Sequence, residues 1–189
     1  MSMTAMGISL LETAGKPDGS GGFIAIPLAE VAAYTQAPLG FTHLEPASSQ
    51  MSKPSTDASH QSGDREWIYV YNNSVIALAA GTPCFRNSAP GNLQAALVEG
   101  TPAAPLPPSV VVGVAQHTIP AGFCGFILRS GAGKVNMDGA TAASVNAIAV
   151  SAVTDYTGGP VTATVPAFGY AVENIGGAGL VKAILACKG

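Results

Sequence analysis

Ser130-Gly-Ala-Gly-Lys134 places glycines and a lysine much as a phosphate-binding loop would. Such a loop needs a further glycine five residues before Gly133, where Leu128 stands, and a hydroxyl residue after the lysine, where Val135 stands. It must also open a helix, and here strand-like sequence lies on both sides, so the spacing reads as a hairpin turn. His43, His60 and His117 are isolated, with no His or Glu four residues away to complete a metal site. His117 reads as a solvent-facing turn residue. Asp138 and Asp155 lie in glycine-containing turns, where Asp is favoured for its side-chain bonds to nearby backbone. Asp155 with Glu173 is the one conceivable acid/base pair, too sparse a basis for glycosidase chemistry. Cys84, Cys124 and Cys187 are odd in number, widely spaced and form no CxxC, so they read as small buried hydrophobes. There is no Gly-x-Ser-x-Gly nucleophile element. The expectation is a chain with no catalytic set, no metal and no cofactor.

Trp67, Tyr69 and Tyr71 remain, alternating along Trp67-Ile-Tyr-Val-Tyr71 and so sharing one face of a strand. Aromatic rings in a row stack on sugars, form an interface or fill a core. Phe23, Ile24, Ile26, Leu28 and Val31 form a second apolar group near the N-terminus, enough to dock on something but too little to fold alone. These eight are the candidate interface residues.

Composition says what must surround them. Charged residues make up 10% of the 189, against roughly 25% in an ordinary soluble domain. A free monomer needs charged surface to stay in solution, so a chain this bare is expected to cover much of itself with partners, as a homo-oligomer. The eight Lys and Arg are scattered singly, which argues against nucleic acid. No apolar run approaches the roughly 20 residues of a membrane helix. The first residues lack the basic and long apolar regions of a secretory signal, and synthesis in a reducing cytoplasm fits the odd cysteines.

The chain divides into an arm at 1–45, a linker at 46–66 and a β domain at 67–189. In the arm, Phe23–Ile26 suits a short strand, and Pro27 opens a helical pattern over Leu28–Tyr34. Residues 46–66 hold almost no large apolar side chain. Beyond Trp67–Tyr71, Asn92–Glu99 suggests one or two helical turns, and the four prolines of 101–108 make a stiff connector. The hydrophobic centre is Val110–Gln116 and Phe123–Arg129, hinged at Thr118-Ile119-Pro120-Ala121-Gly122. Asp138-Gly139 signals another hairpin. Strand patterns follow at Val145–Val150, Val161–Val165, Phe168–Val172 and Val181–Cys187, where Lys182 marks an outward position, and Asp155–Pro160 reads as a loop. About eight short strands with Gly/Pro turns predict an all-β fold, a small antiparallel sandwich or barrel with an extended N-terminal arm.

Gly113-Val-Ala-Gln-His-Thr-Ile-Pro-Ala-Gly-Phe-Cys-Gly-Phe-Ile127 resembles the hairpin of tailed-phage virion proteins, and more narrowly of capsid decoration (cement) proteins, which carry "(I/V)GVAQ-x-TI-x-AG-x-x-G". Ala80-Gly-Thr-Pro83, Asp138-Gly-Ala-Thr141 and Gly169-Tyr-Ala171 are similar to further turns and a strand of that family, and the resemblance spans about 67–189. It implies a small β domain, commonly trimeric, on the capsid exterior, with the major capsid protein as partner and no catalytic residues. The alternative in view is a carbohydrate- or receptor-binding head-fibre or tail module using Trp67, Tyr69 and Tyr71.

Overall fold

The computed structural model describes residues 15–17, 23–27, 39–46, 63–86, 97–100, 111–139, 147–150, 157–160, 167–173 and 177–187. Twelve strands lie among them and no helix does: the fold is all-β. In chain order they are β1 (Gly15–Pro17), β2 (Phe23–Pro27), β3 (Thr42–Glu45), β4 (Arg65–Asn72), β5 (Pro83–Arg86) and β6 (Leu97–Gly100). There follow β7 (Val111–Ala115), β8 (Phe123–Met137), β9 (Ala147–Val150), β10 (Gly158–Pro160), β11 (Gly169–Ala171) and β12 (Gly179–Ala186).

Everything is organised around β8, fifteen residues long. Its first half pairs with β4 on one edge and β7 on the other, and β5 and β6 complete the circuit β4-β6-β5-β7-β8. Its second half pairs with β12, and β11, β9 and β10 complete the circuit β12-β11-β9-β10-β8. Two closed five-strand rings therefore share one strand. Each closes through one parallel pair, β4 with β6 and β10 with β8, while all other pairs are antiparallel. Closure removes the open edges that would invite further strands.

Two bulges make the sharing possible. On β8, Ser130 pairs with Glu66 but Leu128 with Trp67, so Arg129 is an extra residue. An extra residue shifts the side-chain alternation by one. The face carrying Cys124, Phe126 and Leu128 outside the first ring thereby continues as Val135 and Met137 inside the second. Gly131, at φ 101°, lies at the bend, where a methyl group would stand 2.5 Å from the Asp64 carbonyl oxygen. On β7, Gly113 pairs with Cys84 and Val111 with Phe85, so Val112 is extra. Val112 and Ala115 then both face the first core while Val111 and Val114 face the second.

The first core holds Ile68, Val70, Leu78, Cys84, Val98 and Ile127 among others. The second holds Val135, Met137, Ile148, Phe168, Val181 and Leu185, and runs on to Phe85, Val114 and Leu128 on the outside of the first ring. A five-strand ring is narrow, and Gly158 shows how it closes: a Cβ there would lie within 2.9 Å of Val135, Ile148 and Met137.

Several expectations change. Ser130–Lys134 is not a turn but the middle of β8, because β12 pairs along all of it. Asp138-Gly139 turns the chain without making a hairpin, since the end of β8 pairs with β12 and β10 rather than β9. Gly158–Pro160, read as loop, is β10, and the end of Asn92–Glu99, read as helical, falls in β6 (Leu97–Gly100). Between β4 and β5 the chain makes a single β-bridge, Leu78 with Ile119. The helical pattern at 28–34 and the strand pattern at 161–165 lie outside the described residues. The sheet also begins before the linker, since β3 pairs with β4 in register from Thr42↔Ile68 to Glu45↔Arg65.

Candidate functional site

The hairpin pattern at 113–127 turns out to be a set of packing devices. Gly113 meets β8 so closely that a Cβ would stand 2.8 Å from the Leu128 carbonyl oxygen. Gln116 extends β7 with its side chain: Oε1 accepts from the Lys134 backbone N–H (2.9 Å) and Nε2 donates to the Lys134 carbonyl (3.0 Å). Ile119 folds back into the first core over Gly125, where a methyl group would meet Ile119 Cδ1 at 2.9 Å. It exchanges two backbone hydrogen bonds with Leu78, both 2.9 Å. His117, expected to face solvent, is half-buried, because the same Gly125 leaves room for its ring: a Cβ there would stand 3.2 Å from Nε2.

The Trp67/Tyr69/Tyr71 face is covered by the chain itself. Leu39 and Phe41 pack on it, and Tyr69 is fully buried with Cys124 and Phe126, its ring 5.0 Å from that of Phe126. Trp67 and Tyr71 are half-buried. The covering segment is fixed by a buried ion pair, Arg65 Nη2 to Glu45 Oε2 at 3.0 Å, and Trp67 Nε1 donates to the same Oε2 at 2.9 Å. Arg65 also lies over the Trp67 ring, 5.4 Å from its centroid. Such a pair does little for net stability when intact, but losing one member strands a buried charge. Phe23, Ile24 and Ile26 fall in β2, whose backbone pairs with β1 and with β8 at Ile26↔Cys124. Leu28 and Val31 lie outside the described residues.

An apolar surface the sequence reading passed over is the outer face of β11 and β12. Tyr170, Val172, Leu180 and Ile184 are all exposed there, with Tyr170 directly opposite Ile184. Lys182 sits among them, 3.8 Å from Glu173, and its backbone N–H donates to Glu173 Oε1 at 2.7 Å. The signal was available: Lys182 marks the outward parity, and Leu180 and Ile184 share it. Glu173 is thus engaged with Lys182, and Asp155, its supposed acid/base partner, lies outside the described residues.

Burial pushes the Cys84 and Cys187 thiols up to about 12 and the Cys124 thiol up to about 11. All three are free and buried, hence neutral and unreactive at physiological pH. Among the described residues no group of His, Cys, Asp and Glu could hold a metal ion. What the arrangement offers is rigid apolar surface.

No family model and no curated protein matches the chain. Among solved structures it is similar to the N base of the head fibre gp8.5 in bacteriophage phi29, at 15% identity and a TM-score of 0.44, over 64% of this chain and 92% of that one. A likeness that weak carries no function across.

Proposed function

We propose that the chain is a structural protein of a tailed-phage head, a decoration (cement) protein that seats on the outer lattice of major capsid protein and works as a homo-oligomer, most simply a trimer. The observation that carries it is the exterior of the double ring: the β11–β12 face presents Tyr170, Val172, Leu180 and Ile184 on strands that are paired on both edges. A bare apolar face on a stiff scaffold suits permanent protein contact, where desolvation is favourable and little mobility is lost on docking. The resemblance at 113–127 supplies the virion context, and each of its residues with a defined place serves packing rather than chemistry. Against a glycan-binding module using the aromatic row, Tyr69 is buried beneath the chain's own residues 39–41 and is closed to a sugar.

The test is sedimentation of the purified chain with undecorated capsids of the phage that carries the gene, together with light scattering of the free chain. Saturable pelleting is expected, with a mass of several times 18.8 kDa that falls in Ile184→Asp. No pelleting with capsids, alongside binding to a glycan array, would replace this function with the receptor-binding one. A clean monomer would remove the homo-oligomer.

A further inference from the structure

We propose, resting on the decoration function above, that the chain docks on the capsid through the end of the first ring, where Val75 and Ile76 form a preorganised apolar knob that enters a neutral, apolar pocket of the protein lattice. The chain leaves β4 at Asn72 and regains the core at Leu78. Between them Val75 is 94% exposed and Ile76 42%, and Ala77 and Ala79 are exposed as well. The turn itself is made by Asn72, Asn73 and Ser74, and neither Val75 nor Ile76 belongs to a core, so nothing in the fold of this loop requires two adjacent large apolar side chains.

This loop is nonetheless tightly held. Asn72 is fully buried, and its Nδ2 donates to the carbonyls of Ile76 and Ile119, both at 2.9 Å. Its Oδ1 accepts from the Ser74 backbone N–H at 3.0 Å and from the Ser74 hydroxyl. Asn73 N–H donates to the Val98 carbonyl (2.8 Å) and Gly122 N–H to the Asn72 carbonyl (3.0 Å), so neighbouring strand and turn brace the base of the loop. A buried amide with both ends engaged fixes the backbone that carries two exposed apolar side chains. Little ordering entropy then remains to be lost when the knob docks.

Charge narrows the partner. Neither 67–85 nor 100–128, which supply this loop and the adjoining turn, contains an Asp, Glu, Lys or Arg, and the strands that brace its base bring one charge of each sign, Arg86 opposite Val98 and Glu99 next to it. The knob therefore offers no cation for the phosphates of nucleic acid or anionic lipid. Between Asn73 and Ala79 it carries no Trp or Tyr of the kind that anchors at a membrane interface. A neutral apolar pocket in protein is the complementary surface, since docking there strands no charge. Two side chains supply much less than the roughly 800 Å² per partner of a stable interface, so one knob binds weakly and several copies in an oligomer bind through avidity.

The test is the double variant Val75→Asp/Ile76→Asp, measured by co-sedimentation with undecorated capsids beside the wild type, with melting temperature and oligomer mass recorded for both. The expected result is a loss of at least about tenfold in apparent affinity with melting and mass unchanged, because neither side chain is in the core. A second variant, Val75→Ser/Ile76→Ser, should show a smaller loss in the same direction without added charge. Equal pelleting of the aspartate variant and the wild type would overturn the knob while leaving the decoration function standing. A wild type that does not pellet would overturn both. Flotation of the wild type, but not the variant, with neutral phosphatidylcholine vesicles would overturn a protein pocket in favour of lipid.

Discussion

Replacing Gly81 by alanine tests how the two rings are joined. Gly81 occupies the third position of the turn 79–82, closed by Thr82 N–H donating to the Ala79 carbonyl at 3.1 Å, with φ at 86°. Its N–H donates to the Ala115 carbonyl of β7 (2.6 Å) and its carbonyl accepts from Asn136 N–H of β8 (2.9 Å), tying the first ring to the second-ring half of β8. A methyl group there would stand 2.5 Å from the Asn136 backbone nitrogen and 2.5 Å from Leu180 Cδ2. Leu180 is exposed and can swing away, but the Asn136 nitrogen is fixed in a paired strand and bonded to Gly81 itself. Left-handed φ costs a non-glycine residue about 1–2 kcal/mol, and an extra methyl against unyielding backbone about 1–3 more. At roughly 2–4 °C per kcal/mol for a chain of this length, melting should fall by about 10 °C. Gly63→Ala is the control: φ is also positive, 102°, but nothing lies within 4 Å, so only the dihedral cost applies and the fall should be a few degrees. Adding Leu180→Ala to Gly81→Ala should recover only part of the loss. If Gly81→Ala melts no lower than Gly63→Ala, the close approach of the turn to β8 is not what holds the rings together.

Two further outcomes follow from buried polar groups. Glu45→Ala leaves the buried Arg65 guanidinium and the Trp67 indole N–H without their shared carboxylate oxygen, and should cost about 3–5 kcal/mol. Because Trp67 is the one tryptophan in the chain, its emission should shift to the red under native conditions as the 39–46 segment loosens, and unchanged emission and stability would show that the segment is held by Leu39 and Phe41 alone. The three thiols should resist a thiol-specific disulfide reagent at neutral pH until the chain unfolds. Their native pKa values lie above the ordinary 9.0, so the unfolded chain releases these protons first. Their contribution to stability is full below about pH 9 and is lost as pH rises toward about 12. Replacing Cys84 by alanine should flatten that alkaline decline, and a profile identical to the wild type would assign it to other groups.

The sequence by itself determined the class of fold and the faces of the main strand pair. Alternation in Trp67–Tyr71 put Ile68 and Val70 in one core and the three aromatic rings opposite, because side chains in a strand alternate whatever the strand packs on. It also determined that the cysteines are buried, since scattered thiols without partners behave as small apolar side chains. Tertiary structure alone decided that Ser130-Gly-Ala-Gly-Lys134 is the middle of a strand. Local glycine content is the same in a turn and in a strand that must bend between two rings, and the pairing with β12, some fifty residues on, settles which it is. The fate of the aromatic row was likewise unreadable locally. Its cover comes from 39–46, brought there by the β3 pairing and the Glu45–Arg65 contact across about twenty intervening residues. The exposed β11–β12 face lay between these cases. Its parity was legible in Lys182, but its exposure was not, because alternation says which residues share a face and only the closed ring says that none of its described residues lies over it.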